Sequence, residues 1–333
     1  MCERPKRFSA RPDAAARSPR ARTTFILGLA KSGSTSFSLD APKHLPRGTR
    51  IKEAHTRERC FSAIPASYRV MTIVHEPRDN VLSQWRHCSN DLDGWFSPVG
   101  LPPTIEAWLE HWASVVAEDG SINIQPSSPQ TFHCYLPFNL QTRILSCAST
   151  DPCLPYSTPA LDTTVVADAA AGQAVFAPSL ERAVRRVEAA ERDGGIGFVA
   201  VLEHYQQSMC TLHAFERREL PQWCNCSAPR AWSTFPRSHV MHTTLQQQDN
   251  ASHADRPPAQ RLSARAVGLI DALTRMDRRL YEVSLARLRR DSARVEARYG
   301  TKLWCDVGSA AVPPAELPRS PRKSKTHLPF TRY

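Results

Sequence analysis

The chain of 333 residues has no run approaching the roughly 18 to 20 apolar residues that a bilayer-spanning helix needs, so membrane association is not evident in it. It has no zinc-type spacing either. Cys224-Asn-Cys226 is a C-x-C, and no second C-x-x-C pair accompanies it. No internal repeat and no metal-ligand cluster is visible, so no metal is expected. Excess charge is missing from the middle of the chain. The net charge is +11, but residues 1–24 carry seven basic and two acidic side chains, and residues 317–333 carry five basic and none acidic. What remains is close to neutral, which excludes a basic nucleic-acid surface spread over the body and leaves no specific nucleic-acid partner expected. The first 24 residues also lack the apolar core of a signal segment. Their Arg, Ala, Ser and Pro content suggests a transit segment, against which stand Glu3, Asp13 and three prolines.

Hydrophobic residues make up 41% of the chain, enough for a sizeable core. Ten cysteines permit disulfides in an oxidising compartment, with a pairing that spacing leaves open. Two glycosylation sequons occur, at Asn225 and Asn250. The length fits a disordered basic tail over 1–23, a domain over 24–306 with an irregular insert at about 227–260, and a second basic tail over 307–333.

Three short apolar runs read as buried strands: Thr24 to Ala30, Arg69 to Val74, and Gly197 to Leu202. Helical patterns follow at 78–87, at 104–112 behind a Thr104 cap, at 179–191 behind a Ser179 cap, at 205–215, and over 263–298 as one long helix or a pair. The stretch Ser38–Arg50 holds Pro42 and Pro46 and reads as a poor helix. Strands alternating with helices predict an α/β fold with a parallel sheet.

The strongest local signal is Phe25-Ile-Leu-Gly-Leu-Ala-Lys31-Ser32-Gly33-Ser34-Thr35-Ser36. A buried strand ends, a glycine allows a tight turn, and hydroxyl side chains open a helix. Backbone N–H groups and the helix dipole then converge on one place, which favours an anion. Gly28 and Gly33 have the spacing of a Walker A loop, but position 34 is Ser, and the charge sits earlier at Lys31. The turn resembles the phosphosulfate loop of sulfotransferases, P-K-[ST]-G-[ST]-[ST]-[ST], with Ala30 in place of the proline. After the second strand, His75-Glu-Pro77-Arg78-Asp-Asn-Val-Leu-Ser83-Gln-Trp85 resembles the element with which that family holds a 3′-phosphate. Pro77 and Ser83 match; His75 stands where the family has arginine, and Arg78 lies near enough to compensate. Between the two, Lys52-Glu53-Ala54-His55 resembles the K-E-x-H segment of Golgi carbohydrate sulfotransferases, whose glutamate is the general base. Further islands at 138–145, 198–210, 262–281 and 303–305 resemble algal sulfotransferase-like proteins and carry no assigned role.

The resemblance implies a P-loop-like three-layer fold, a central parallel sheet flanked by helices. It implies a sulfotransferase that moves a sulfuryl group from 3′-phosphoadenosine-5′-phosphosulfate to a hydroxyl or amine, with a carbohydrate as the expected acceptor. Lys31 and Glu53 would be catalytic. Lys31, Ser32, Gly33, Ser34, Thr35, Ser36, His75, Arg78 and Ser83 would bind the co-substrate. The implied location is the Golgi lumen or its membrane, with a cytoplasmic or organellar site as the alternative. Glu53 and His75 lie only 22 positions apart, closer than in relatives. That shortening keeps a catalytically degenerate nucleotide- or partner-binding relative open, and behind it a P-loop kinase or NTPase.

Overall fold

The computed structural model of the chain describes residues 23–29, 31–55, 61, 64–90, 102–114, 116, 135–147, 178–236 and 262–305. Both expected tails, Thr23 apart, and the expected insert beyond residue 236 lie outside the described residues.

Four parallel strands form one sheet in the order β2-β1-β3-β4, with helices flanking it. They are β1 (Thr24–Gly28), β2 (Ile51–His55), β3 (Arg69–Val74) and β4 (Phe198–Val201). β1 is buried at every residue and β3 at all but Arg69. Continuous apolar runs are what the interior of a parallel sheet demands, because both faces are covered. β2 was not legible as a strand. Its sequence, Ile-Lys-Glu-Ala-His, carries charge because among the described residues it sits at the sheet edge, paired on one side with β1.

Helix α1 (Ser34–His44) corrects the expectation of a poor helix, since it runs through Pro42. Pro42 falls in the last turn, so only one hydrogen bond is lost, and its carbonyl still accepts from the Leu45 N–H at 3.3 Å. α2 (Pro77–Asn90) starts on its proline, a position whose missing N–H has no intrahelical partner in any case. α3 (Ile105–Ser114) is capped by Thr104, whose hydroxyl accepts from the Ala107 N–H at 3.2 Å. α4 (Leu140–Ser146) is short and buried throughout. α5 (Leu180–Glu188) has its Ser179 cap, and α6 (Tyr205–Arg217) follows β4. After a short α7 (Pro229–Trp232) the described residues continue into a helix pair, α8 (Ala264–Leu273) and α9 (Arg275–Tyr299), broken at Thr274.

The main core joins the sheet to α1, α4, α5, α6 and α9 through residues such as Ile26, Phe37, Leu145, Val187, Leu212 and Leu288. A second cluster packs α2, α3 and α8 around Trp108, Trp112 and Ile270. The cysteines of the C-x-C part company: Cys224 bonds Cys210 and Cys226 bonds Cys305.

Candidate functional site

The chain leaves β1 for β2 on one side, then returns for β3 on the other. The crevice beyond the carboxyl ends of β1 and β3 is therefore the switch point of the sheet, where open parallel sheets accept ligands. Both elements singled out in the sequence lie there.

Beyond β1 the backbone turns tightly. Lys31 has φ 55° and Gly33 has φ 75°, with no positive φ at Ser32 between them. Alternating signs of φ swing successive N–H groups to one side, forming a concavity that suits an anion. Gly33 is called for chiefly by its backbone conformation, and any side chain there would also have to displace Leu202. Its φ favours glycine, and a Cβ there would stand 2.5 Å from Cδ1 of Leu202 at the end of β4. Gly33 caps α1 without any side-chain bond, so the first-turn N–H groups of Ser34, Thr35 and Ser36 have no intrahelical acceptor. Ser32 plays a different part from the one its hydroxyl suggested. It is buried and donates to the Leu29 carbonyl at 2.7 Å, bracing the turn from inside. The Lys31 ammonium lies 3.2 Å from Nδ1 of His87 on α2, so His87 orients the cation.

His75 stands beyond β3 and ties the two elements together. Its Nδ1 lies 2.9 Å from the Lys31 carbonyl. A carbonyl only accepts, so Nδ1 carries the proton. Nε2 faces Oε1 of Glu203 at 3.4 Å. The backbone of His75 is held as firmly as a strand residue. Gln141 accepts from its N–H and donates to its C=O, both at 2.9 Å. Gln141 in turn lies in the first turn of α4, whose Gln141 and Thr142 N–H groups donate to the buried carboxylate of Asp277 at 3.2 and 2.7 Å. Burial pushes the Asp277 carboxyl up to about 6, against those hydrogen bonds.

Arg78 does not reach toward the Lys31 turn to replace the missing arginine. It makes a two-pronged bond to Asp271 on α8, at 2.7 and 2.5 Å. That bond holds the Asp271 carboxyl below its usual range. Ser83 is half-buried, two turns into α2. Glu53 lies in β2 opposite Ile26, while His55 lies opposite Gly28. At about 3.3 Å per residue, the Glu53 backbone sits about 7 Å short of the level at which the Lys31 turn begins, and His55 sits at it.

Sequence reasoning missed Glu203, Asp79, His87 and Gln141. Glu76, Asp79 and Glu203 gather around His75, and the Glu76 N–H donates to Glu203 at 2.7 Å. Burial, with Asp79 and Glu203 nearby, pushes the Glu76 carboxyl above its usual range despite the bond it accepts from the Asp79 N–H. Glu203 and Gln141 fall inside the segments at 198–210 and 138–145, so the signal was present without a role attached. The arrangement can bind an anion at the turn and hold acidic and imidazole groups beside it. No protein-family model, curated protein or solved structure matches the chain.

Proposed function

We propose that the chain is a sulfotransferase of the P-loop-like, three-layer class, using 3′-phosphoadenosine-5′-phosphosulfate and a carbohydrate hydroxyl or amine as acceptor. One observation carries the reading. The Lys31 turn and the His75-Glu-Pro77 element, far apart in sequence, meet at the switch point with 2.9 Å between the Lys31 carbonyl and His75 Nδ1. In this reading the N–H groups of Gly33, Ser34, Thr35 and Ser36 and the Lys31 ammonium hold the phosphosulfate. The acceptor oxygen attacks sulfur in line, and the bond from sulfur to the bridging phosphate oxygen breaks. Charge developing on the leaving phosphate falls where the turn points. Glu53 takes the acceptor's proton, with His55 at the better backbone level for the same task. Ser83 and the His75 region hold the 3′-phosphate. The disulfides Cys210–Cys224 and Cys226–Cys305 support an oxidising compartment such as the Golgi lumen.

A second reading has a specific observation behind it. Arg78 is committed to Asp271, and both ring nitrogens of His75 face groups of the protein itself. Weakened 3′-phosphate recognition would leave a nucleotide-binding relative without transfer. Calorimetric titration with 3′-phosphoadenosine-5′-phosphate decides between the readings, beside Lys31→Ala and 5′-AMP. The enzyme reading expects micromolar binding, at least about tenfold weaker (about 1.4 kcal/mol) in the variant and for 5′-AMP. Equal affinity for the two nucleotides favours the second reading. No binding by folded protein overturns both.

A further inference from the structure

The acids beside the Lys31 turn are an odd companion for a phosphate site. Glu76, Asp79 and Glu203 would repel a bound phosphate, and nothing in the sulfotransferase reading uses them. Their geometry suggests what does. His75, Asp79 and Glu203 each offer one ligand atom, and the three atoms lie within 4.8 Å of one another. We propose that His75 Nε2, Asp79 and Glu203 bind a divalent cation of the Mn2+ class at the carboxyl ends of β3 and β4.

The histidine is set up as a metal ligand. Its Nδ1–H is spent on the Lys31 carbonyl, so Nε2, which faces Glu203, is the ring nitrogen left to meet a cation. Ligating histidines are held in this way, by donating their second ring N–H to a carbonyl or carboxylate. The residue is 9% exposed, its ring is held at Nδ1 by the Lys31 carbonyl, and Gln141 pins its backbone from both sides. Glu203 is oriented too. It accepts from the Glu76 N–H at 2.7 Å, with the Tyr281 phenol beside it. Asp79 lies in the first turn of α2, with its own N–H donating to Glu76 at 3.0 Å.

Bonds of about 2.1 Å place ligand atoms about 3 to 4 Å apart around an octahedral ion, so small side-chain rotations close the site. One imidazole and two carboxylates suit Mn2+ better than soft-ligand metals, and they leave positions open for water or for a phosphate oxygen. Positions 75, 79 and 203 have no ligand spacing that a sequence reading could recognise; β3 and β4 being neighbours brings them together.

The inference stands apart from the sulfotransferase reading, and its test uses no nucleotide. The full chain, freed of metal with a chelator, is titrated with MnCl2 while the electron paramagnetic resonance signal of free Mn2+ is followed. One ion per chain is expected, with affinity at least about tenfold weaker in Glu203→Gln and in Asp79→Asn. Thermal melting of each variant checks its fold. Pulsed resonance on the parent protein adds a readout that needs no variant: coupling of the bound ion to one imidazole nitrogen. Absence of bound Mn2+, absence of that coupling, or parental affinity in both variants overturns the proposal.

Discussion

His44 and Asp277 are both buried, and they tilt the pH dependence of stability in opposite directions. His44, on α1, has its Nδ1 3.1 Å from Nδ1 of His213 on α6. Two imidazoles this close cannot both be protonated, and Lys43 and Arg217 add positive charge that Asp40 only partly offsets. His213 is held low as well, by burial, although Glu219 beside it works the other way. Burial first, then His213, lowers the His44 pKa from 6.5 to about 4. The unfolded chain therefore binds more protons between those values, and this contribution to stability is lost as pH falls from 6.5 toward 4. Asp277 runs the other way. Its folded pKa is raised from 3.8 to about 6, so its protonated form is favoured by folding, and that contribution is lost as pH rises through 6. Each shift amounts to about 3 kcal/mol at most. The two largely cancel in the parent. Relative to the parent, His44→Leu is expected to gain stability as pH falls from 6.5 to 4, and Asp277→Asn to lose it. Urea unfolding at several pH values measures both difference curves. Parallel curves for variant and parent would mean that neither residue titrates as the packing demands.

Elements were legible where burial is simple. β1, β3 and β4 are apolar runs covered on both faces, and each was readable within a residue or two. The caps Thr104 and Ser179 were readable because a hydroxyl before an apolar helix has one evident use. β2 and α1 were not, because edge position hides a strand behind charge and a last-turn proline looks like a breaker. The site was half legible. Lys31, Gly33 and His75 announce themselves through turn chemistry, whereas Glu203 and Gln141 act through contacts made across the sheet ends. Gln141 shows why these matter to an element. Its amide replaces the ladder that β3 loses at its end, satisfying both backbone groups of His75. Gln141→Leu strands two buried backbone groups, each worth about 1 to 3 kcal/mol. A loss of about 2 to 4 kcal/mol in chemical unfolding is expected, together with a changed His75 ring signal in NMR. A loss with an unchanged His75 signal would show that the amide merely packs.

At the scale of the whole molecule, two of the disulfides, both between described residues, fasten the layer formed by α6 and α9. Cys210–Cys224 ties α6 to the turn that follows it, over 14 residues. Cys226–Cys305 spans 79 residues and joins that same region to the segment behind α9. The Cys226 N–H also donates to the Lys302 carbonyl at 2.9 Å, and Glu296 accepts from the Leu303 and Trp304 N–H groups. The segment after α9 is thus held in place by hydrogen bonds as well as by sulfur. This matters because α9 packs against β4, and the end of β4 supplies both Leu202 over Gly33 and Glu203 beside His75. Neither cysteine of the longer bridge is fully buried, so replacing the pair mainly removes the crosslink, in contrast to Cys210 and Cys224, which are core residues. Loop-closure entropy for a span of this size gives about 4 kcal/mol. Cys226→Ser with Cys305→Ser should therefore lose about 2 to 4 kcal/mol in urea unfolding, and reductant should then cost the double variant less than it costs the parent. A loss under about 1 kcal/mol would place the restraint in the hydrogen bonds of Glu296 and Lys302 instead, and the bridge would be redundant for holding α9 against the sheet.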